Sequence, residues 1–190
     1  MTDFSEMRWL NEPPEWKIED DVLRVTTGER TDFWRETHYG FVRDNGHFFY
    51  AETKGDFSAE VTFSALYEHL YDQAGLMLRL DERRWVKAGI EYSDGERLLS
   101  TVVTKERSDW SVTSLTGDAD EVTLRLTRRG GALLAQASQG DGFRLLRLAD
   151  FPAPDPVMVG VMCCTPERAG LRASFRDFRL GPPEGELHSS

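Results

Sequence analysis

The chain has 190 residues, of which 39% are hydrophobic and 29% charged, enough apolar material to bury a substantial core in one domain and too much for wholesale disorder. Its formal net charge of −10 argues against general binding to DNA, RNA or anionic membranes, which needs basic side chains to displace counterions, and leaves a small cationic or neutral ligand open. The opening Met1-Thr2-Asp3-Phe4-Ser5-Glu6 lacks the basic start and apolar run of a signal peptide, and no stretch approaches about 18 uninterrupted apolar residues, so a soluble, cytoplasmic protein is expected.

Apolar and polar residues alternate with a period of two, and turn residues interrupt the pattern at short intervals, which predicts strands. In chain order they are Val22–Thr26, His47–Glu52, Phe57–Leu66, Gln73–Leu80, Trp85–Tyr92, Leu98–Lys105, Val122–Arg128, Ala132–Ser138, Phe143–Leu148, Val157–Cys163 and Leu171–Leu180. Asp94-Gly95, Gly117-Asp118, Gly130-Gly131 and Asp141-Gly142 supply the positive φ that tight hairpins and bulges need. Ala149-Asp150-Phe151 before Pro152 suits a single helical turn. Cys163 and Cys164 are neighbours in an apolar run, where a bridge would be strained, so both are expected as buried free thiols. His38, His47, His69 and His188 show no ligand spacing, and neither a metal nor a cofactor is expected. About eleven strands with hairpin spacing need two packed sheets, because one sheet that wide leaves an apolar face in water. The fold class is therefore all-β, a two-sheet antiparallel β-sandwich of jelly-roll type spanning residues 1–180 as one domain, with 181–190 as a frayed tail.

Five motifs carry a family resemblance: Asp32-Phe33-Trp34-Arg35 with His38-Tyr39-Gly40; Tyr71-Asp72-Gln73-Ala74-Gly75-Leu76; Trp85-Val86-Lys87-Ala88-Gly89-Ile90-Glu91; Val103-Thr104 with Ser108-Asp109-Trp110-Ser111; and Phe175-Arg176-Asp177-Phe178. On these the chain resembles the bacterial and fungal proteins of the concanavalin A-like lectin/glucanase superfamily that are named after a yeast regulator of enolase. The resemblance implies two antiparallel sheets, one concave and usually carrying any ligand. It implies no activity.

Strand parity then sorts the side chains. Trp85, Lys87, Gly89 and Glu91 share one face of their strand, and Val86, Ala88, Ile90 and Tyr92 share the core face. Lys87 and Glu91 are about 13 Å apart along the strand, with Gly89 as an open floor between them. In the preceding strand Gln73, Gly75, Met77 and Arg79 alternate against Ala74, Leu76, Leu78 and Leu80. A hairpin through Asp81-Glu82-Arg83-Arg84 sets these polar faces side by side as an exposed shallow cleft of Tyr71, Gln73, Met77, Arg79, Trp85, Lys87 and Glu91. Asp109 and Trp110 fall at its rim or in a capped turn, and Trp34, Arg35 and His38 form either a pinned loop or a lid.

Three functions fit this face. A non-catalytic carbohydrate-binding or lectin-like domain stacks a sugar on Trp34, Trp85 and Trp110 and bonds its hydroxyls through Gln73, Lys87, Glu91 and Asp109. A glycan-active hydrolase or lyase uses Glu91 as acid or base, with Lys87 tuning it. A regulatory module turns the face to a protein partner. The plain alternative is a solvated Lys–Glu ladder without a ligand. Glu91-Tyr92-Ser93-Asp94-Gly95-Glu96 loosely matches the acidic strand of laminarinase-type glucanases, but Glu91 and Asp94 have opposite parity and Asp94-Gly95 is a turn, against a retaining carboxylate pair.

Overall fold

The computed structural model describes residues 4–117, 120–140 and 142–184. A 3-10 turn at Phe4–Glu6 leads into sixteen strands: β1 (Arg8–Leu10), β2 (Glu15–Glu19), β3 (Val22–Thr26), β4 (Phe33–Arg35), β5 (Val42–Asp44), β6 (His47–Thr53), β7 (Phe57–Ala65), β8 (Gln73–Asp81), β9 (Arg84–Ser93), β10 (Glu96–Lys105), β11 (Arg107–Ser114), β12 (Val122–Arg129), β13 (Ala132–Ser138), β14 (Arg144–Asp150), β15 (Val157–Cys164) and β16 (Arg172–Gly181). Two seven-stranded sheets, ordered β1-β6-β15-β8-β9-β10-β11 and β14-β13-β12-β7-β16-β3-β2, pack as the expected β-sandwich, and β4 pairs with β5 in a separate hairpin. Every ladder in the first sheet is antiparallel. Among the described residues no helix is long and apolar enough to cross a membrane.

Period-two alternation sends Leu76, Leu78, Val86, Ala88, Ile90, Val159 and Val161 of the first sheet against Val61, Phe63, Leu124, Leu126 and Phe175 of the second, which makes the main core. Asp94 and Gly95, at φ 55° and 85°, form the two-residue turn that joins β9 to β10, as their pairing of Ser93 with Glu96 requires. Asp118, Asp141 and His188 lie outside the described residues, as does Met1-Thr2-Asp3.

The first sheet has a second core on its other face. Phe48, Met77, Trp85, Val102, Met162 and Cys164 project away from the main core and are covered by Phe33 and Trp34 of β4. This corrects the expectation of an exposed cleft: Gln73, Arg79, Trp85, Lys87 and Glu91 are all buried. The parity was right, but the β4–β5 hairpin folds over the face that parity assigned to solvent. The two cysteines are free and buried, one in each core because they are adjacent on a strand.

Other expectations are corrected in detail. Ser108-Asp109-Trp110-Ser111 is the body of β11 and not a capped turn, and Phe33–Arg35 is a strand and not a loop. Ala149 and Asp150 end β14 in place of a helical turn. Gly75 and Gly89 face each other across β8 and β9, and a Cβ on either would stand 2.1 Å from a carbonyl oxygen of the other strand. The close backbone approach that requires glycine is therefore strand on strand and not ligand on floor. Of the tail expected from residue 181, Gly181 closes β16 and the Glu184 N–H donates to Ser58 Oγ at 2.7 Å; residues 185–190 lie outside the described ones.

Candidate functional site

Between the hairpin and the sheet lies a buried polar cluster. Lys87 of β9, 3% exposed, donates to Gln73 Oε1 at 2.6 Å, Phe33 O at 2.8 Å and Asp32 Oδ1 at 3.3 Å. A buried ammonium is tolerated only when paired and hydrogen-bonded, and Asp32, the residue just before β4, supplies the counter-charge. Gln73 of β8 stands opposite Glu91 and donates to Tyr71 O at 3.1 Å and Asp32 Oδ1 at 3.4 Å. The Asp32 backbone is held in turn by Asn45, whose Oδ1 accepts its N–H at 3.0 Å.

Glu91, two residues beyond the close-approach glycine, accepts from Ser100 Oγ at 3.1 Å, and Ser100 accepts from Trp110 Nε1 at 3.0 Å. Burial pushes its carboxyl up to about 7, with Asp32 adding to the rise, Lys87 opposing it and the Ser100 bond opposing it further. Glu91 thus changes charge near neutral pH.

Five aromatic side chains, Trp34, Tyr39, Phe41, Tyr71 and Trp110, wall a cavity of about 120 Å³ above Asp32, Gln73, Lys87 and Glu91, with Arg43, Pro166 and Glu167 also lining it. Tyr39 meets Trp34, Tyr71 and Phe41 at ring-centroid distances of 5.7, 6.4 and 5.5 Å, and Tyr71 meets Trp110 edge-on at 6.5 Å. The Tyr39 and Tyr71 hydroxyls are hydrogen-bonded at 2.6 Å, which holds the Tyr71 phenol above its ordinary pKa. Tyr71 takes a left-handed φ of 66°, and its N–H donates to Tyr92 O. Asp72 points away from the cavity. Its carboxylate accepts the N–H groups of Glu68 and His69, the Thr165 hydroxyl and the Arg168 guanidinium, tying the Tyr71 turn to the loop that carries Pro166 and Glu167. Burial alone would raise the Asp72 pKa, but the bonds from Arg168, Thr165, Glu68 and His69 outweigh it and hold it low.

The expected site residues therefore separate. Trp34, Tyr71, Gln73, Lys87, Glu91 and Trp110 come together at the cavity. Arg79 instead forms a two-pronged ion pair with Asp44 at 2.6 and 2.8 Å, which fastens β5 to β8. Trp85 is fully buried beside Phe33 and has no face open for stacking. Arg35 donates from Nε to Glu106 O at 3.0 Å, exposed Asp109 pairs with Arg147, and exposed His38 packs its ring edge-on against Tyr39 at 4.8 Å. Asp32, Tyr39, Phe41, Arg43, Pro166 and Glu167 are additional lining residues. The aromatic density of residues 33–41 was a usable signal for Tyr39 and Phe41; Pro166 and Glu167 carried none. Among the described residues no three His, Cys, Asp or Glu side chains gather to hold a metal. A larger groove of about 720 Å³ over β2, β3 and β16 is lined by Trp16, Arg24 and Arg172 but encloses no buried charge, so the smaller cavity is the better candidate.

Comparisons with known proteins agree with this architecture. Residues 9–183 match the model of a family described as a protein of unknown function, DUF1349. The chain is 47% identical over 189 residues to "Regulation of enolase protein 1" of Saccharomyces cerevisiae, covering 98% of this chain and 96% of that one. A crystal structure of a functionally unknown protein from Saccharomyces cerevisiae superposes with a TM-score of 0.93 at 47% identity, over 97% of this chain and 100% of the other. The carbohydrate-binding module CBM66 from Bacillus subtilis shares the fold, with a TM-score of 0.60 at 13% identity over 91% of this chain and 94% of that module.

Proposed function

For a chain that belongs to the DUF1349 family, we propose a non-catalytic carbohydrate-binding role, in which a single sugar ring enters the cavity beneath the β4–β5 hairpin. One observation carries this: aromatic walls enclose a buried polar floor in a space of about 120 Å³. A cavity of that order is close to one that takes a bare six-membered ring, so a pyranose seats part of its ring there and turns its outer hydroxyls to solvent. A pyranose suits it, with apolar C–H faces for Trp34, Tyr71 and Trp110 and hydroxyls for the floor. The shared fold with the Bacillus subtilis module supports the reading by analogy. Calorimetry against a monosaccharide and glycan panel tests it. A ligand should be found whose affinity falls at least about tenfold in Trp110→Ala and Tyr71→Ala, the loss expected of a stacked aromatic contact; unchanged affinity in both variants would overturn the assignment.

A second reading is a glycan-active hydrolase or lyase. It is favoured by the Glu91 carboxyl at about 7, in the range of a working general acid, beside an Asp32 carboxylate paired with Lys87. Turnover of a bound glycan that disappears in Glu91→Gln with binding retained would select it, and binding without turnover in the wild type would reject it. The name of the yeast relative speaks of regulation of enolase, and a protein partner is the outcome to pursue if no sugar binds.

A further inference from the structure

The polar atoms at the cavity divide unequally into donors and acceptors. An ammonium has three hydrogens, and Lys87 has three acceptors inside the protein: Gln73 Oε1, Phe33 O and Asp32 Oδ1. Both amide hydrogens of Gln73 have acceptors, Tyr71 O and Asp32 Oδ1. Trp34 Nε1 donates to Thr37 O at 3.0 Å, Trp110 Nε1 donates to Ser100 Oγ, and the Ser100 hydroxyl in turn donates to Glu91 Oε2. The N–H groups of these side chains are thus engaged before any ligand arrives.

Two carboxylate oxygens are not. Among the described residues nothing donates to Glu91 Oε1 or to Asp32 Oδ2, although the two residues are only 6% and 8% exposed. An ionised carboxylate accepts and cannot donate, and neither oxygen is among the fully enclosed polar atoms, so both are reachable by a ligand. A neutral hydroxyl brings one hydrogen to such an oxygen, whereas a protonated amine brings up to three together with a positive charge. The walls agree in sign, because the faces of Trp34, Tyr39, Tyr71 and Trp110 carry the negative lobe of the ring quadrupole, while Phe41 already receives Arg43. Of the remaining lining groups, Arg43 commits one N–H to Pro166 O at 3.3 Å and lies over Phe41 at 4.9 Å, which leaves its other N–H groups as donors at the rim, and Glu167 adds a further carboxylate to the lining. The Tyr39–Tyr71 pair retains one hydroxyl proton.

We propose that the ligand is a single-ring amino sugar whose protonated amine donates to the open oxygen of Glu91 while the aromatic walls receive the ring and its charge. The proposal rests on the carbohydrate-binding reading and adds the chemical class. A bound cation also draws the Glu91 carboxyl, otherwise at about 7, toward its ionised form.

The test is calorimetry of the full chain at about pH 7 with glucosamine and galactosamine as probes against glucose, galactose and N-acetylglucosamine, in the wild type, Glu91→Gln and Trp110→Ala. The amino sugars should bind roughly tenfold more tightly than the neutral ones, Glu91→Gln should erase that preference with the circular dichroism spectrum unchanged, and Trp110→Ala should weaken all binding. Equal or tighter binding of the neutral sugars overturns the amine assignment and leaves the carbohydrate reading standing. Failure of every sugar to bind, or binding indifferent to Trp110→Ala, overturns both.

Discussion

Glu91→Gln replaces a buried carboxyl by an uncharged amide of nearly the same shape, and its effect on stability follows from the surroundings of that side chain. Gln can still accept the Ser100 hydroxyl that Glu91 Oε2 accepts at 3.1 Å, so the substitution removes charge with little loss of packing. Burial holds the folded-state carboxyl at about 7 against an ordinary 4.5, so the folded chain binds this proton more tightly than the unfolded chain does. The resulting stability is fully present below pH 4.5 and is lost as the pH rises through about 7, a difference of about 3 kcal/mol between the two ends. Glu91→Gln keeps its neutral amide throughout. Urea unfolding of both proteins should therefore give similar stabilities at the acidic end of the window and a growing advantage for the variant, up to about 3 kcal/mol, on the alkaline side of 7. Taking the difference between the two proteins cancels Asp72 and His47, whose shifts run the other way. A difference that stays flat with pH, or a carbon-13 titration placing Glu91 at its ordinary 4.5, would refute the reasoning.

Lys87→Met leaves Asp32 buried beside an apolar side chain and should destabilise the protein by about 3–5 kcal/mol in urea unfolding with an unchanged m value; a loss below about 1 kcal/mol would mean that the cluster is not coupled as its bonds indicate. Trp85→Ala should cost about 3–5 kcal/mol of stability while ligand affinity, measured by calorimetry below the unfolding range, changes little, because Trp85 packs against Phe33 and does not line the cavity. His47 accepts the Gly28 N–H at Nε2 (2.9 Å) and donates from Nδ1 to Asn11 O (2.6 Å), an arrangement only the neutral ring can make. Burial lowers its pKa against the Asn11 bond, so its stabilisation is complete above pH 6.5 and is lost as the pH falls through the lowered folded value; thermal melts should show that acid slope in the wild type and a flatter one in His47→Gln.

Much of the sandwich was legible in the chain itself. Alternation placed Val86, Ala88 and Ile90 in the main core, and Asp94-Gly95 marked the turn between β9 and β10, because a strand's periodicity and a turn's φ requirement are local properties of the residues concerned. The short β1 and the edge strand β2 carried no comparable pattern, since β2 is exposed along its whole length. Parity also put Gln73, Lys87 and Glu91 on one face, and resemblance brought Asp32 and Trp34 into view. Alternation, however, reports only which side of a strand a side chain leaves, not what lies beyond it. Whether Lys87 and Glu91 met water or protein was decided by the β4–β5 hairpin, which packs Phe33 and Trp34 onto Met77, Trp85, Val102 and Met162 of the face that looked solvent-exposed. That contact joins residues far apart in sequence. It turns an ordinary charged ladder into a buried ion pair, and it lifts a surface glutamate to a carboxyl that titrates near neutrality, because desolvation depends on the tertiary cover and not on the strand that carries the charge.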